Sequence, residues 1–250
     1  MTARPRLQPP LPPLRMTTPT RAILGCLHIA DQLDTPIWGR KVQIITGLAP
    51  GTVYPALNRL VQRGYVTATP DDGTRRILHR LTPQARRLPL QHCTRTLWGP
   101  GPWQNEPDTH DWTTPAGLPA RARRAPQQGT WGTYIGLPPG HPLHGIDHDD
   151  MPHILGAVGH RTPTYSGPAL PDGSEDDGTW WVGTDAMGPF DYAPGWVILR
   201  VITIVGINSA NQRTVGLALS ALNNPDTVYR TLSYLKGCTD LVADVLAAMA

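Results

Sequence analysis

Between Ile23 and Leu81 the apolar pattern changes from helical spacing to alternation, and an Asp72-Gly73 step stands inside the alternating part. Few folds accommodate that order. Ile23, Leu24, Leu27, Ala30 and Leu33 recur at helical spacing, which marks one stripe of an amphipathic helix. Thr17 or Thr18 can cap its start, and Pro19 falls early, where a missing N–H does no harm. Asp34-Thr35-Pro36 ends it. A short second helix is predicted over 39–46, with Val42 and Ile45 inward and Gly47 as its C-cap. Leu48 to Gly51 makes a tight turn. A third helix is predicted over 50–63. It has Val53, Leu57 and Leu60 on one face and Thr52, Tyr54, Asn58, Arg59 and Gln62 on the other, and Gly64 stops it. Residues 65–69 and 75–81 read as strands, and Asp-Gly between two such runs is a strong hairpin signal. Thr82-Pro83 then opens a short helix that ends around Leu90.

Helix, helix, tight turn, helix, hairpin is the order of a winged helix-turn-helix. The remainder is punctuated by 28 Pro and 25 Gly, well above average usage. Residues 1–16 are a basic, proline-rich stretch that cannot build a helix. They are read as a disordered tail, with Met16 a second candidate start. Residues 91–130, with the basic cluster Arg121, Arg123 and Arg124, lack periodicity and read as a linker. Residues 131–250 are read as a small α+β domain. Within it, short strands and loops span 131–192 and a buried strand spans 196–207. Terminal helical structure begins at Pro225, interrupted by Gly237. The fold class expected for the whole chain is α+β, with domains at 17–90 and 131–250.

The charge is unevenly placed. Residues 1–95 carry 14 Lys or Arg against 4 Asp or Glu, a balance of +10, while residues 96–250 carry 8 against 15, a balance of −7. That asymmetry points to a nucleic-acid-binding half joined to something else. The major groove of duplex DNA admits one α-helix that buries one stripe and shows polar side chains on the other, as residues 50–63 do. Thr52 and Tyr54 lie in its first turn, where helix N-termini meet phosphates and base edges. Asn58, Arg59 and Arg63 follow further along. Arg75 and Arg76 on the wing suit the sugar-phosphate backbone or a narrow minor groove. Tyr54 packed on the wing, and arginines that are merely solvated, are the plain alternatives.

The run from Gly51 to Leu60 (Gly-Thr-Val-Tyr-Pro-Ala-Leu-Asn-Arg-Leu), then Gly64-Tyr65-Val66 and Leu81-Thr82-Pro83-Gln84-Ala85, resembles the PadR family of bacterial transcriptional regulators over about residues 18–90. The resemblance implies that Thr52, Tyr54, Asn58 and Arg59 face double-stranded DNA. The sequence departs from the family pattern at Ala85, where the family has Gly, and in offering a linker where the family dimerises. A homodimer is left open.

Cys26, Cys93 and Cys238 are odd in number and have no metal-ligand spacing, so a reducing, cytoplasmic setting is expected. The longest apolar stretch, 196–207, is too short to span a bilayer and contains Arg200. No membrane association is expected.

Gly132 to Asp150, including Gly140-His141-Pro142-Leu143-His144-Gly145-Ile146-Asp147, resembles an uncharacterised domain of phage and actinobacterial hypothetical proteins, as do Gly159-His160 and Trp180-Trp181-Val182-Gly183-Thr184-Asp185. That family carries no activity over to this chain. His141, His144, Asp147, His160 and Asp185 are candidate ligands for a divalent metal, with loop-shaping hydrogen bonds as the structural alternative. No other cofactor is expected. Trp131, Tyr134, Trp180 and Trp181 read as core, or as the lining of a pocket for a small-molecule ligand. Asp172 to Asp177 read as a solvated acidic loop or a mimic of phosphate folded onto the basic half. The sequence reading is a DNA-binding regulator whose second domain senses a ligand or binds a protein partner. The alternatives are a metal-dependent hydrolase localised by its winged helix, and a phage-related interaction adaptor.

Overall fold

The computed structural model describes residues 11–35, 37–173, 178–196 and 226–250, together with Ile198, Leu199 and Ile202. The chain is α+β and divides into two compact units. The first comprises Met1–Gly99 and Gly195–Leu222, the second Pro100–Pro194 and Asn223–Ala250. No described helix is long and apolar enough to cross a membrane.

The first unit has the predicted order. Helix α1, Thr18–Gln32, is capped by the Thr17 hydroxyl, which accepts from the Thr20 amide. Strand β1 is Ile37–Trp38 and α2 is Gly39–Thr46, ended by Gly47 at φ 68°, a conformation that favours glycine at a C-cap. Helix α3 is Pro50–Gln62. Strands β2, Val66–Pro70, and β3, Ile77–Leu81, pair antiparallel, and β1 adds to the far side of β3. The hairpin loop is longer than Asp-Gly alone predicts. Asp71 accepts the Thr74 hydroxyl at 2.6 Å, and Gly73 takes φ 89°. One core holds the unit together. In it Ile23, Leu24 and Leu27 of α1 meet Val42, Val53, Leu57, Leu60 and Leu81.

Three expectations for this unit change. Residues 82–90 hold only a 3₁₀ turn, Ala85–Arg87, and the next helix, α4, is Gln91–Thr94. Residues 1–10 lie outside the described residues, but the following part of the tail is docked. Tyr65 Oη donates to the Pro12 carbonyl at 2.9 Å, and Leu11 and Leu14 pack on the core. The strand expected over 196–207 lies partly outside the described residues. Trp196, Ile198, Leu199 and Ile202 are helical, and Ile198 and Ile202 are buried in the core of this first unit.

The second unit starts earlier than composition indicates. Residues 91–130 are not a linker. They supply β4, Thr109–Thr113, and β5, Pro119–Arg124. With β6 (Trp131–Leu137), β7 (Tyr165–Gly167) and β8 (Trp180–Asp185) these form an antiparallel five-stranded sheet in the order β4-β5-β6-β8-β7. The central strand β6 is buried along its whole length. Helix α5 is Ile154–Val158. The terminal helix α6, Leu232–Ala247, lays Ala243 and Leu246 on Ile135, Leu137 and Val182. Gly237 does not interrupt α6. A helical glycine costs only about 1 kcal/mol relative to alanine, and burial of Leu235, Thr239, Ala243 and Leu246 at helical spacing outweighs it.

Glycines on β6 and β8 make room for an aromatic ring. A Cβ at Gly183 would stand 2.2 Å from Tyr134 Cδ1, so the ring lies directly on the neighbouring strand. Arg124 is enclosed, with its side chain 1% exposed, and donates to Glu106 at 2.8 Å. Glu106 also accepts from Tyr229 Oη at 2.6 Å, Trp131 Nε1 at 3.2 Å and the Leu232 amide at 2.8 Å. One carboxylate thereby ties β5, β6 and the first turn of α6 together.

Candidate functional site

In the first unit α3, β1 and the β2–β3 wing enclose an open groove of about 510 Å³. Helix α3 builds one wall. Its apolar stripe faces α1, which leaves Tyr54, Asn58, Arg59 and Gln62 exposed and Thr52 partly so. Tyr54 and Asn58 line the groove; Arg75, Arg76 and Ile77 line it from the wing, with Ala68 and His79. The register Ala68↔His79 places those two on the same face of the sheet, and Ile77 lies two residues before His79 on that face. Burial pushes the His79 imidazole below its ordinary value.

The individual side chains differ in commitment. Arg76 stacks over the Trp38 ring at 4.2 Å, and Lys41 Nζ lies 5.3 Å from that ring. Lys41 is fully buried, and burial pulls its pKa down to about 8. Trp38 therefore joins a wing arginine to α2. Arg40 donates to Gln43 Oε1 at 3.2 Å, Arg80 pairs with Asp34 at 2.7 Å, and Arg63 donates to the Pro13 carbonyl. The guanidinium groups of Arg59 and Arg75, by contrast, have no hydrogen-bond or ion-pair partner among the described residues. Tyr54 is 46% exposed and packs against Gly39 rather than the wing, where a Cβ would come within 2.4 Å of its ring.

Of the seven residues expected to face DNA, the structure brings Tyr54, Asn58, Arg75 and Arg76 to the groove. Thr52 and Arg59 lie on the exposed side of α3, and Arg63 is held at its end by the tail. Trp38, Arg40 and His79 also line the groove and escape sequence reasoning. The one available signal was Trp38, an aromatic set between the helix-ending Pro36 and Gly39.

The five metal candidates of the second unit do not converge. His141 is buried with both ring nitrogens occupied, Nδ1 accepting from the Leu143 amide at 3.1 Å and Nε2 bonded to the Leu246 carbonyl at 3.0 Å. His144 Nε2 lies 3.3 Å from the Gly178 carbonyl. Asp147 accepts from the Asp149 amide at 3.0 Å and shapes the turn at 148–150. Asp147, His148 and Asp149 could present three ligand atoms within 4.8 Å of one another, but they are consecutive residues, and both carboxylates are exposed. Asp185 accepts from Arg161 at 2.9 Å. Asp172 pairs with Arg123 at 2.7 Å inside the second unit, and 174–177 lie outside the described residues.

His160 belongs to a different cluster. Its side chain is 7% exposed, and Nε2 lies 2.9 Å from Asp191, itself 3% exposed. Asp191 also accepts from Arg230 Nε at 2.8 Å and the Gly188 amide at 2.7 Å. Burial alone would raise the Asp191 carboxyl, but the Arg230, His160 and Gly188 donors outweigh it and hold the pKa below the ordinary value. Asp191 and Arg230 carry no local sequence signal of this grouping. Comparison with protein-family models, curated proteins and solved structures finds no match to the chain.

Proposed function

We propose that the chain is a sequence-specific double-stranded-DNA-binding transcriptional regulator of PadR-like type, with α3 in the major groove and the β2–β3 wing on the phosphate backbone. The observation that carries this reading is the groove lined by Tyr54, Asn58, Arg75 and Arg76, with Arg59 beside it on α3, where the guanidinium groups of Arg59 and Arg75 have no hydrogen-bond or ion-pair partner among the described residues. Cations that the fold does not use are available to an anionic partner. A helix and a hairpin wing match the major groove and the adjacent backbone. In this reading the second unit binds an effector or a partner, and the setting is cytoplasmic.

Selection of bound sequences from random duplex DNA tests it. The full chain is expected to enrich a motif that a Tyr54→Ala/Arg59→Ala variant of unchanged helicity loses, and a two-fold motif would indicate a dimer. Weak, salt-sensitive retention without enrichment would overturn sequence-specific binding. Deleting residues 96–250 is not a clean test of the first unit, because it also removes Ile198 and Ile202 from that unit's core.

A further inference from the structure

The groove between α3 and the wing holds a buried polar atom that the fold leaves unused. His79, on the central strand β3, is 7% exposed, and its Nδ1 is buried with no hydrogen-bond partner among the described residues. An unpaired buried polar atom costs about 1–3 kcal/mol, and folded proteins hold few of them. The register of the hairpin explains where this one sits. Val66 and Leu81 pair at its base and belong to the core, Ala68 and His79 pair next outward, and Pro70 pairs with the exposed Ile77 at the tip. His79 therefore stands where the core ends and the groove begins, and its side chain lines that groove.

The surroundings select the kind of partner. Facing the groove, α3 offers Tyr54 among otherwise uncharged side chains, and β2 offers Ala68. Arg40 enters from α2, Arg75 and Arg76 enter from the wing, and Lys41 lies against the Trp38 ring. On the other face of β3, Arg80 is taken by Asp34, as Arg86 is taken by Asp31. Among the described residues no Asp or Glu lines the groove. Three guanidinium groups, an unpaired imidazole and no acid are complementary to an anion. Burial holds the imidazole below its ordinary value, so the ring is mainly neutral at pH 7. An anion within hydrogen-bond reach favours the charged ring. A groove of about 510 Å³ admits a sugar-phosphate segment as well as a single small ion.

Resting on the DNA reading above, we propose that His79 is a further DNA contact, which as an imidazolium donates from Nδ1 to an oxygen of one phosphodiester held in the groove beside Arg75 and Arg76. A turn of the ring about its Cβ–Cγ bond, a soft torsion, aims Nδ1 into the groove. The ring is neutral in the unbound chain and charged on the duplex, so binding takes up a proton and affinity rises as pH falls. The contact is to a phosphate, which carries no sequence information, so the rise is the same on every duplex.

The test measures affinity of the full chain for two duplexes of unrelated sequence at pH 7 and pH 6, at one salt concentration. Lys41, whose pKa burial lowers to about 8, stays largely charged over that range. Affinity for both duplexes is expected to rise by about threefold to tenfold from pH 7 to pH 6, tenfold being the limit for one proton. His79→Gln keeps an N–H donor without a titrating ring and should show no rise. In the wild-type chain, where no variant has to fold, the His79 ring followed by NMR should titrate at higher pH on the duplex than alone. A flat wild-type affinity, a rise retained in His79→Gln, or an unmoved His79 titration would each overturn the inference and leave sequence-specific binding standing. The expected rise on both duplexes, with no motif enriched by selection, would overturn the regulator reading and keep the His79 contact. Inorganic pyrophosphate moving the ring's titration where the duplex does not would assign the groove to a free phosphate ligand and overturn the DNA source. No binding to either duplex would overturn both.

Discussion

The two units place their charges differently. The first gathers its apolar side chains into one large cluster, from Ile23 through Leu81 to Ile202, and leaves the guanidinium groups of Arg59 and Arg75 without a hydrogen-bond or ion-pair partner among the described residues. The second divides its apolar residues among three smaller clusters and turns charge inward, with Arg124 closed onto Glu106 and Asp191 closed onto His160 and Arg230. A unit with a single sufficient core can keep its cations for a partner. A sheet with divided cores uses buried ion pairs and hydrogen bonds to bind its loops and terminal helix.

Glu106→Gln is the most severe way to probe that contrast. It removes the charge that compensates an arginine whose side chain is 1% exposed. Breaking one side of a buried pair costs about 3–5 kcal/mol; Asp108, 3.2 Å from Arg124 Nε, keeps the loss near the lower end. Arg59→Ala or Arg75→Ala should change stability by no more than about 0.5 kcal/mol, as exposed substitutions do. Urea unfolding of the full chain separates the two cases. A loss below about 1 kcal/mol for Glu106→Gln would show that the inward network is not what holds the second unit.

The same contrast explains what was legible in the sequence. Helices α1 and α3 were readable because stripe, cap and stop signal lie within one short stretch, and the hairpin because Asp72-Gly73 supplies the turn. Strand β5 was not. Its buried positions are Ala120, Ala122 and Arg124, small or charged rather than β-branched, and Arg124 is buried only because Glu106 meets it from 18 residues upstream. The entry of Ile198 and Ile202 into the first core is likewise a long-range event with no local signature. At the groove, α3 announced Tyr54 and Asn58, whereas Trp38 and His79 depend on the β1–β3 pairing. The cluster of His160, Asp191 and Arg230 comes from three separate places and could be assembled only in three dimensions.

Acid should separate the units in a definite order. In the first, His28 and His79 are held below the ordinary 6.5 chiefly by burial. A group whose folded pKa is depressed contributes stability that is present above its unfolded pKa and lost as pH falls toward the folded one. The first unit should therefore weaken from about pH 6.5 downward. In the second, burial would raise Glu106, but its Tyr229, Arg124, Leu232 and Trp131 donors win and hold it below 4.5; Asp191 is held below 3.8 in the same way. Those contributions are intact until about pH 4.5 and are lost below it. Hydrogen exchange resolved by unit between pH 7 and pH 4 checks the order. Equal weakening of both units above pH 5, or the second unit weakening first, would break the comparison at its electrostatic root.

The smallest effect bears most directly on function. If the outward cations serve a duplex, Arg75→Ala removes about one phosphate contact. The slope of log affinity against log salt should then shrink by about 0.9. Because a phosphate carries no sequence information, the affinity loss should be the same factor for every duplex tested. Arg59→Ala acts from α3, where a side chain reaches base edges, and should relax discrimination at one position by about 1–3 kcal/mol. Arg76→Ala lies between them, because removing its guanidinium also removes the stack on Trp38 that holds the wing to α2. Affinity measured at several salt concentrations, on the selected duplex and on a scrambled one, distinguishes the three. An Arg75→Ala slope equal to wild type would mean that the wing meets no phosphate, and that a charge left free by the fold need not be one used by a partner.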